Sequence, residues 1–219
     1  MHITTHLIIA RRALIALAAL AASIGASAQT TAADAFASAP QEVFPLLDKT
    51  TRLDMIDYFR NGMSTASANK VDGKSRITSL DPASLKVEVS AASDCQLAVL
   101  PAASDSLVAL IVTVKSPAPD SRIDFFNSKW MREPDNAHFT KPSMEQWLTP
   151  EGKKNAADVS AFVPFLLVSY NYDPQQGLLT LTNNTKDFLS ADIYAMVADY
   201  LKPQLVFKWN GKRFVPNQK

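Results

Sequence analysis

Histidine and cysteine, the side chains that most often supply general bases, nucleophiles and transition-metal ligands, are scarce in this sequence. The 219 residues include three histidines and one cysteine. Because His2 and His6 lie in an N-terminal segment that is predicted to be cleaved, His138 and Cys95 are the two that remain. No His-Glu-x-x-His motif can be built from them. The sequence therefore predicts neither a metal centre nor a cofactor.

His138 is the one remaining histidine that a Ser-His-Asp triad could use, and Ser143 and Glu145 follow it closely in the sequence. Triads are assembled in space rather than in sequence, however, and the chain has no Gly-x-Ser-x-Gly nucleophile elbow. The polar composition around His138 favours a surface histidine in a loop. A cofactor-free hydrolase that uses His138 is kept as an alternative.

Paired carboxylates offer a second route to hydrolysis without a cofactor. Asp54 and Asp57 are three residues apart on a predicted helix, and a second predicted helix carries Asp187, Asp192 and Asp199. Acids spaced in this way are typical of a solvated helix face. We interpret them as surface residues, and carboxylate-based hydrolysis belongs to the same alternative.

Aromatic residues in the second half of the chain favour binding over catalysis. Tryptophan and tyrosine rings can stack on sugars or peptides, and a basic stretch near the C-terminus adds charge. The predicted binding residues are Trp130, Trp209, Tyr170, Tyr172, Lys208 and Arg213. Aromatics at alternating strand positions are more often core residues, so the hypothesis requires Trp130 and Trp209 to share one exposed, concave face.

The N-terminus has the three parts of a cleavable secretory signal peptide. A basic start, an apolar run over residues 13–22 and a small-residue cleavage motif at 26–28 follow one another. The run is shorter than the about 20 residues that a permanent membrane helix needs. We expect residues 1–28 to be removed and the chain from Gln29 to work in the periplasm or outside the cell, with no stable membrane span.

Charge, glycine and cysteine content restrict the partners. Without the predicted leader the chain has 20 basic and 21 acidic residues, a net charge of −1, so it lacks the concentrated positive charge that nucleic-acid binding needs. Its five glycines are isolated and cannot form a phosphate-binding loop. Cys95 has no partner for an internal disulfide and is interpreted as a buried structural thiol. The expected partner is a protein or glycan of the cell envelope.

The first half of the processed chain is predicted to contain a linker and then a helix. Residues 29–40 have the small-residue composition of a linker, and apolar residues recur at helical spacing over 45–62. Polar residues Asp48, Arg52 and Arg60 are predicted to point away from the buried face of this helix. That face is predicted to comprise Leu46, Leu53, Ile56, Phe59 and Met63.

Further along the chain the pattern predicts an α+β fold. An apolar period of two over residues 76–130 predicts short antiparallel strands. Helix starts and stops then delimit helices from Thr149 and over 188–201, and strands over 165–172 and 178–182. Two runs around Asn210 and Gly211 predict a terminal hairpin with a two-residue type I′ turn.

We expect an antiparallel sheet, built as a meander and hairpins, to pack against two or three helices. The expected organisation is a single α+β domain over residues 41–219, with two small lobes, 41–130 and 142–219, as the alternative.

Three segments of the chain resemble a family of secreted Bacteroidales proteins, domain of unknown function 3256. They are PLLDKTTRLDMIDYF (45–59), DSRIDFFNSKW (120–130) and LKPQLVFKWNGKRFV (201–215). The resemblance implies an exported protein from such bacteria, and it supplies no activity and no catalytic residues. The leading hypothesis is a noncatalytic exported binding or accessory protein of the cell envelope.

Overall fold

The structure, a computed structural model, describes residues 30–63, 65–102 and 106–217. The predicted signal peptide, residues 1–28, lies outside the described residues. Among the helices that are described, none combines the length and the apolar character needed to cross a bilayer.

The first sheet is an antiparallel meander in which each strand pairs with the next along the chain. Side chains alternate between its two faces, as the apolar period of two predicted, and both faces of its central strands are buried. Its strands are β1 (Ser67–Ala68), β2 (Lys74–Asp81), β3 (Ser84–Ser90), β4 (Ser93–Leu100), β5 (Leu107–Val114) and β6 (Asp120–Phe126).

The second sheet has four antiparallel strands in the order β10-β9-β8-β7. The strand predicted over 178–182 runs from Leu178 to Asn183. The strand predicted over 165–172 begins three residues later than expected, at Val168, and ends at Asp173. The strands are β7 (Val168–Asp173), β8 (Leu178–Asn183), β9 (Gln204–Trp209) and β10 (Phe214–Pro216).

The terminal hairpin forms, but its predicted two-residue turn is wrong. Trp209 pairs with Phe214, so the loop contains four residues. Asn210 Oδ1 accepts hydrogen bonds from the backbone N–H groups of Lys212 (3.0 Å) and Arg213 (2.8 Å). Because the side chain of Asn210 satisfies these two donors, only Gly211 has to adopt a positive φ, +92°.

In the described part of the chain, six short α-helices accompany the sheets. They are α1 (Ala32–Ser38), α2 (Lys49–Arg60), α3 (Met144–Trp147), α4 (Pro150–Lys154), α5 (Ala156–Phe162) and α6 (Ala191–Val197). Two antiparallel sheets with these helices make the fold α+β, which confirms the predicted class.

The predicted linker over residues 29–40 is wrong, because most of it forms helix α1. Thr31 caps the helix through a reciprocal hydrogen-bonded pair with Asp34. The side chain of Phe36 is fully buried, with its ring edge-on to Phe44 at 5.0 Å. The alanines that gave the segment its linker-like composition let the helix lie close to the first sheet.

The predicted buried face of helix α2 is confirmed at Ile56, which is buried, but is wrong at Leu53, Met63 and Arg52. Leu53 and Met63 are 43 % and 46 % exposed, whereas Arg52 is only 2 % exposed. The buried face is therefore rotated toward Arg52 and Met55. The backbone carbonyls of the preceding loop bind the guanidinium of Arg52, which makes burial of this cation tolerable.

The helix predicted from Thr149 begins as expected, with a Thr149 cap and a first-turn proline. It is interrupted at Asn155 and continues as α5. Packing requires glycine at position 152, because an added Cβ would lie 2.2 Å from the carbonyl oxygen of Tyr200. The helix predicted over 188–201 is shorter than expected and ends in a 3₁₀ turn, Ala198–Tyr200.

The first sheet is covered on both faces. Helices α1 and α2 pack on one face, around Leu85, Leu97 and Leu110. The second sheet packs on the other face, around Ala109 and Phe125. The two faces therefore belong to two separate hydrophobic cores.

Strand β7 meets the first sheet edge-on, and side chains of that sheet bind its backbone. The N–H of Val168 donates to Asp120 Oδ1 at 2.9 Å, and the N–H of Tyr170 donates to Ser121 Oγ at 3.0 Å. Gln96 binds Tyr172 twice, since its Nε2 donates to the Tyr172 carbonyl at 2.7 Å and its Oε1 accepts from the Tyr172 N–H at 3.0 Å. Polar side chains thus satisfy the edge of β7 in place of another strand.

Candidate functional site

Three of the predicted aromatic binding residues are core residues. Trp209 and Tyr170 are 7 % exposed and Tyr172 is 4 % exposed, all between the two sheets. The indole N–H of Trp209 donates to the carbonyl of Pro101 at 2.8 Å. Burial, with a smaller contribution from Asp120, raises the pKa of Tyr170 to about 12. These rings are on the strand faces turned toward the first sheet, so the predicted stacking surface is wrong for all three.

The two predicted basic residues are on the hairpin, and neither lies beside an exposed aromatic of the predicted set. Lys208 is exposed, and its ammonium donates to the carbonyl of Gln176. Arg213 Nη2 donates to Thr140 Oγ1 at 3.0 Å. Both side chains hold loops in place, and the structure does not bring them together with Trp130.

Trp130 differs from the other predicted aromatics because it is only partly buried and has a strained backbone conformation. Its φ is +60°, in the left-handed region that bulky residues seldom adopt. A tight turn holds it there, since Trp130 N donates to the Asn127 carbonyl at 2.9 Å and Asn127 Oδ1 accepts from Met131 N at 3.1 Å. Strain of this kind costs on the order of 1–3 kcal/mol and is concentrated at functional sites.

A groove lies beside Trp130 at the margin of the core under helices α1 and α2. We call it the Trp130 groove. Its volume is about 370 Å³, and it separates the loop before α2 from strands β5 and β6. The rings of Trp130 and Phe126 are 5.4 Å apart and form one wall. The lining comprises Pro40, Glu42, Val43, Leu110, Arg122, Asp124, Phe126 and Trp130.

A smaller, mostly apolar cavity adjoins the groove, and we call it the apolar pocket. Its volume is about 200 Å³. Val43, Leu110 and Arg122 line both cavities, so the two share a boundary. The other residues of the lining are Phe44, Pro45, Leu46, Leu47, Val89, Ser93, Asp94, Cys95 and Val112.

Arg122 supplies an accessible positive charge at that boundary. Its side chain is 74 % exposed, and its Nε is 3.7 Å from Asp124 Oδ2. Asp124 is only 12 % exposed and accepts a 2.7 Å hydrogen bond from Arg132, which satisfies its other oxygen. Arg122 therefore keeps most of its guanidinium N–H groups available. Arg122 is not among the residues predicted from the sequence, although its alternation with Asp124 and Phe126 on β6 indicates that the three share a face.

His138 is not the surface histidine that the sequence predicted, since its side chain is 18 % exposed. Its Nδ1 is 2.8 Å from the Lys212 carbonyl, which can only accept, so Nδ1 carries the proton. Its Nε2 is buried and lies 3.6 Å from Glu133 Oε2. Both ring nitrogens are thus turned toward protein atoms, an arrangement suited to joining loop 131–142 to the hairpin.

Carboxylates do meet in one cavity, as the hydrolase alternative requires. Asp124, Glu133 and Asp135 line a space of about 320 Å³. Arg132 binds two of them, Asp124 at 2.7 Å and Asp135 at 3.2 Å. Arg132 thus occupies one oxygen of each of these two carboxylates.

The other acids considered in the sequence are exposed on helix surfaces or beside them: Asp54, Asp57, Asp187, Asp192 and Asp199. In the part of the chain that the structure describes, no three His, Cys, Asp or Glu side chains are grouped as metal ligands would be.

Cys95 is 5 % exposed and faces the core under α1 and α2. Burial, with a smaller effect of the Asp94 charge, raises the pKa of its thiol to about 12. The thiolate required for nucleophilic chemistry is therefore a negligible species near neutral pH.

Comparisons with known proteins identify relatives but no activity. A family described as "Protein of unknown function (DUF3256)" matches residues 23–214. A solved structure, titled as a domain of an uncharacterized protein from Porphyromonas gingivalis W83, is similar with a TM-score of 0.74 and 19 % identity. The similarity covers 85 % of this chain and 98 % of that one, and it shows a shared fold. No curated protein matches. The chain belongs to the DUF3256 family of proteins of unknown function.

Proposed function

We propose that the protein is exported and works as a noncatalytic binding or accessory protein of the cell envelope, with its ligand held in the Trp130 groove. The observation that carries this proposal is the strained, partly buried Trp130 at the edge of a groove. An aromatic ring fixed in a costly conformation beside an open cavity is the arrangement expected of a preorganised binding site.

The polar groups of the protein support binding rather than hydrolysis. His138 has no ring nitrogen turned toward solvent, and Arg132 binds Asp124 and Asp135, two of the three carboxylates that share a cavity. General acid–base catalysis needs a titratable group within reach of the substrate. A cofactor-free hydrolase therefore remains the less supported alternative.

Export rests on the leader-like residues 1–28 of the sequence. Expression in a host with a secretory pathway should yield a processed protein that begins at Gln29 and is recovered outside the cytoplasm. N-terminal sequencing of the mature product tests this expectation. An intact N-terminus on cytoplasmic protein would contradict export and would leave the binding proposal to be judged separately.

Substitution of Trp130 tests the binding proposal. Trp130→Ala removes the larger ring of the wall that Trp130 forms with Phe126, and we expect capture of the ligand from an envelope extract, or from a glycan array, to fall by about tenfold or more. Quantitative pull-down with the processed chain measures the effect.

A matched control is available in Phe165, an aromatic that is 53 % exposed and does not line the groove. Phe165→Ala should bind as the unsubstituted protein does. Equal loss in both variants, or a ligand that Trp130→Ala retains in full, would exclude the Trp130 groove as the binding site.

A further inference from the structure

The chemistry of the Trp130 groove and the apolar pocket restricts the class of ligand, on the assumption that the groove is the binding site proposed above. Nine of the twelve residues that line the pocket have apolar side chains or the neutral thiol of Cys95. The one acid, Asp94, is paired with Lys115 at 2.8 Å. A sugar ring placed there would lose hydration of its hydroxyl groups without compensating hydrogen bonds. The pocket therefore favours an aliphatic or aromatic side chain.

The charge beside the pocket favours a carboxylate on the same ligand. Arg122 lies at the boundary of the two cavities, is 74 % exposed and has its acidic neighbour Asp124 already bound by Arg132. A guanidinium presents parallel N–H donors that match the two oxygens of a carboxylate. An anion at this point would gain such a pairing beside the apolar walls of the pocket.

The apolar pocket and Arg122 adjoin each other, and this indicates how the apolar side chain and the carboxylate are linked in the ligand. A residue that places its side chain in the apolar pocket has its own backbone at the boundary, where Arg122 lies. Within a chain, that backbone would offer only neutral amides, and the charge of Arg122 would remain unmatched. At the C-terminus of a chain, the same position carries a carboxylate.

The remaining volume accommodates the residues that precede such a terminus. The Trp130 groove holds about 370 Å³ between the wall of Trp130 and Phe126 and the opposite wall at Pro40 and Val43. Glu42, exposed at its rim, would disfavour further negative charge on the ligand there and can accept N–H groups. We propose that the Trp130 groove binds the C-terminal end of a polypeptide, with an apolar last side chain in the apolar pocket and its terminal carboxylate on Arg122.

Short labelled peptides test this assignment with the processed chain, Gln29 to Lys219. The probe is fluorescein-Gly-Ser-Ala-Ala-Leu with a free carboxylate, compared by fluorescence anisotropy with its C-terminal amide and with the peptide that ends in Ser. We expect the amide and the Ser-ended peptide each to bind about tenfold or more weakly, because one loses the charged hydrogen bonds and the other the buried side chain.

The variant Arg122→Gln links the effect to the proposed contact. It should reduce binding of the free acid to the level of the amide while leaving the amide unchanged, so the two changes are non-additive. Lys186→Gln, which removes an exposed charge away from the groove, should alter neither. Circular dichroism and thermal unfolding verify that both variants are folded.

The outcomes separate this inference from the proposed function. The inference is overturned if acid and amide bind equally, if no peptide binds, or if dodecanoate displaces the probe more strongly than the unlabelled Leu-ended peptide does. In each of these cases, a Trp130-dependent ligand captured from envelope extract would still uphold the binding function. If ligand binding did not depend on Trp130, both this inference and the proposed binding function of the groove would be excluded.

Discussion

Replacement of Gln96 by Glu is expected to lower the free energy of unfolding by about 3–5 kcal/mol, because it places an unpaired charge in the contact between the two sheets. Gln96 is 6 % exposed. Its amide donates to the Tyr172 carbonyl at 2.7 Å and to Ser84 Oγ at 3.0 Å, and it accepts from the Tyr172 N–H at 3.0 Å. A carboxylate keeps the acceptor, loses both donors and turns one oxygen toward a carbonyl.

Urea unfolding followed by far-ultraviolet circular dichroism measures the effect. Gln204→Glu is the matched control, since Gln204 is exposed on β9 and its amide donates to Thr182 Oγ1 at 3.3 Å. This control should lose less than about 1 kcal/mol. The deficit of Gln96→Glu should shrink as the pH falls, because a protonated carboxyl regains a donor. Similar destabilisation by the two substitutions would show that the hydrogen bonds between Gln96 and the backbone of β7 contribute little to stability.

The role of Gln96 also shows where sequence patterns stop being informative. The alternation around it correctly predicts strand β4, and the same period predicts β3, β5 and β6. Alternation says which side chains share a face but not what covers that face. In the sequence, Gln96 is a polar residue in an apolar strand, and its partner, Tyr172, is 76 residues away.

The candidate site was only partly predictable for the same reason. Trp209, Tyr170 and Tyr172 alternate on their strands as a platform would, and the first sheet covers them. Trp130 is outside any strand, and its exposure depends on the turn made by Asn127. The wall opposite Trp130 comes from Pro40, at the end of the predicted linker, and from Val43 just beyond it. The position of this segment depends on hydrogen bonds from one buried arginine, which the sequence pattern does not reveal.

That arginine, Arg52, gives the second large effect. We expect Arg52→Met to lower the free energy of unfolding by about 2–4 kcal/mol, because it leaves two buried carbonyls without donors. Arg52 Nη1 donates to the Leu47 carbonyl at 3.0 Å, and Nη2 donates to that of Ala39 at 2.5 Å. The guanidinium also lies 5.7 Å from the ring of Phe44. Burial lowers its pKa, and the nearby Asp48 partly offsets this.

The substitution should affect binding as well as stability. The two carbonyls belong to the loop that connects α1 to α2, and Pro40, Glu42 and Val43 of that loop line the Trp130 groove. Without the bridge from Arg52, this wall of the groove is free to move away from Trp130. We therefore expect ligand capture to weaken even at temperatures where Arg52→Met remains folded, as verified by circular dichroism.

Two further variants distinguish the bridge from the charge alone. Arg60→Met removes an exposed arginine of the same helix and should change the free energy of unfolding by less than about 0.5 kcal/mol. Arg52→Lys keeps a positive charge but lacks the planar fork that reaches two carbonyls at once, so it should recover only part of the loss. Full recovery with lysine would mean that charge near the rings of Phe36 and Phe44 suffices. A fully stable Arg52→Met protein would mean that water replaces the guanidinium at the two carbonyls, and the loop would then owe its position to apolar packing around Phe36 and Phe44.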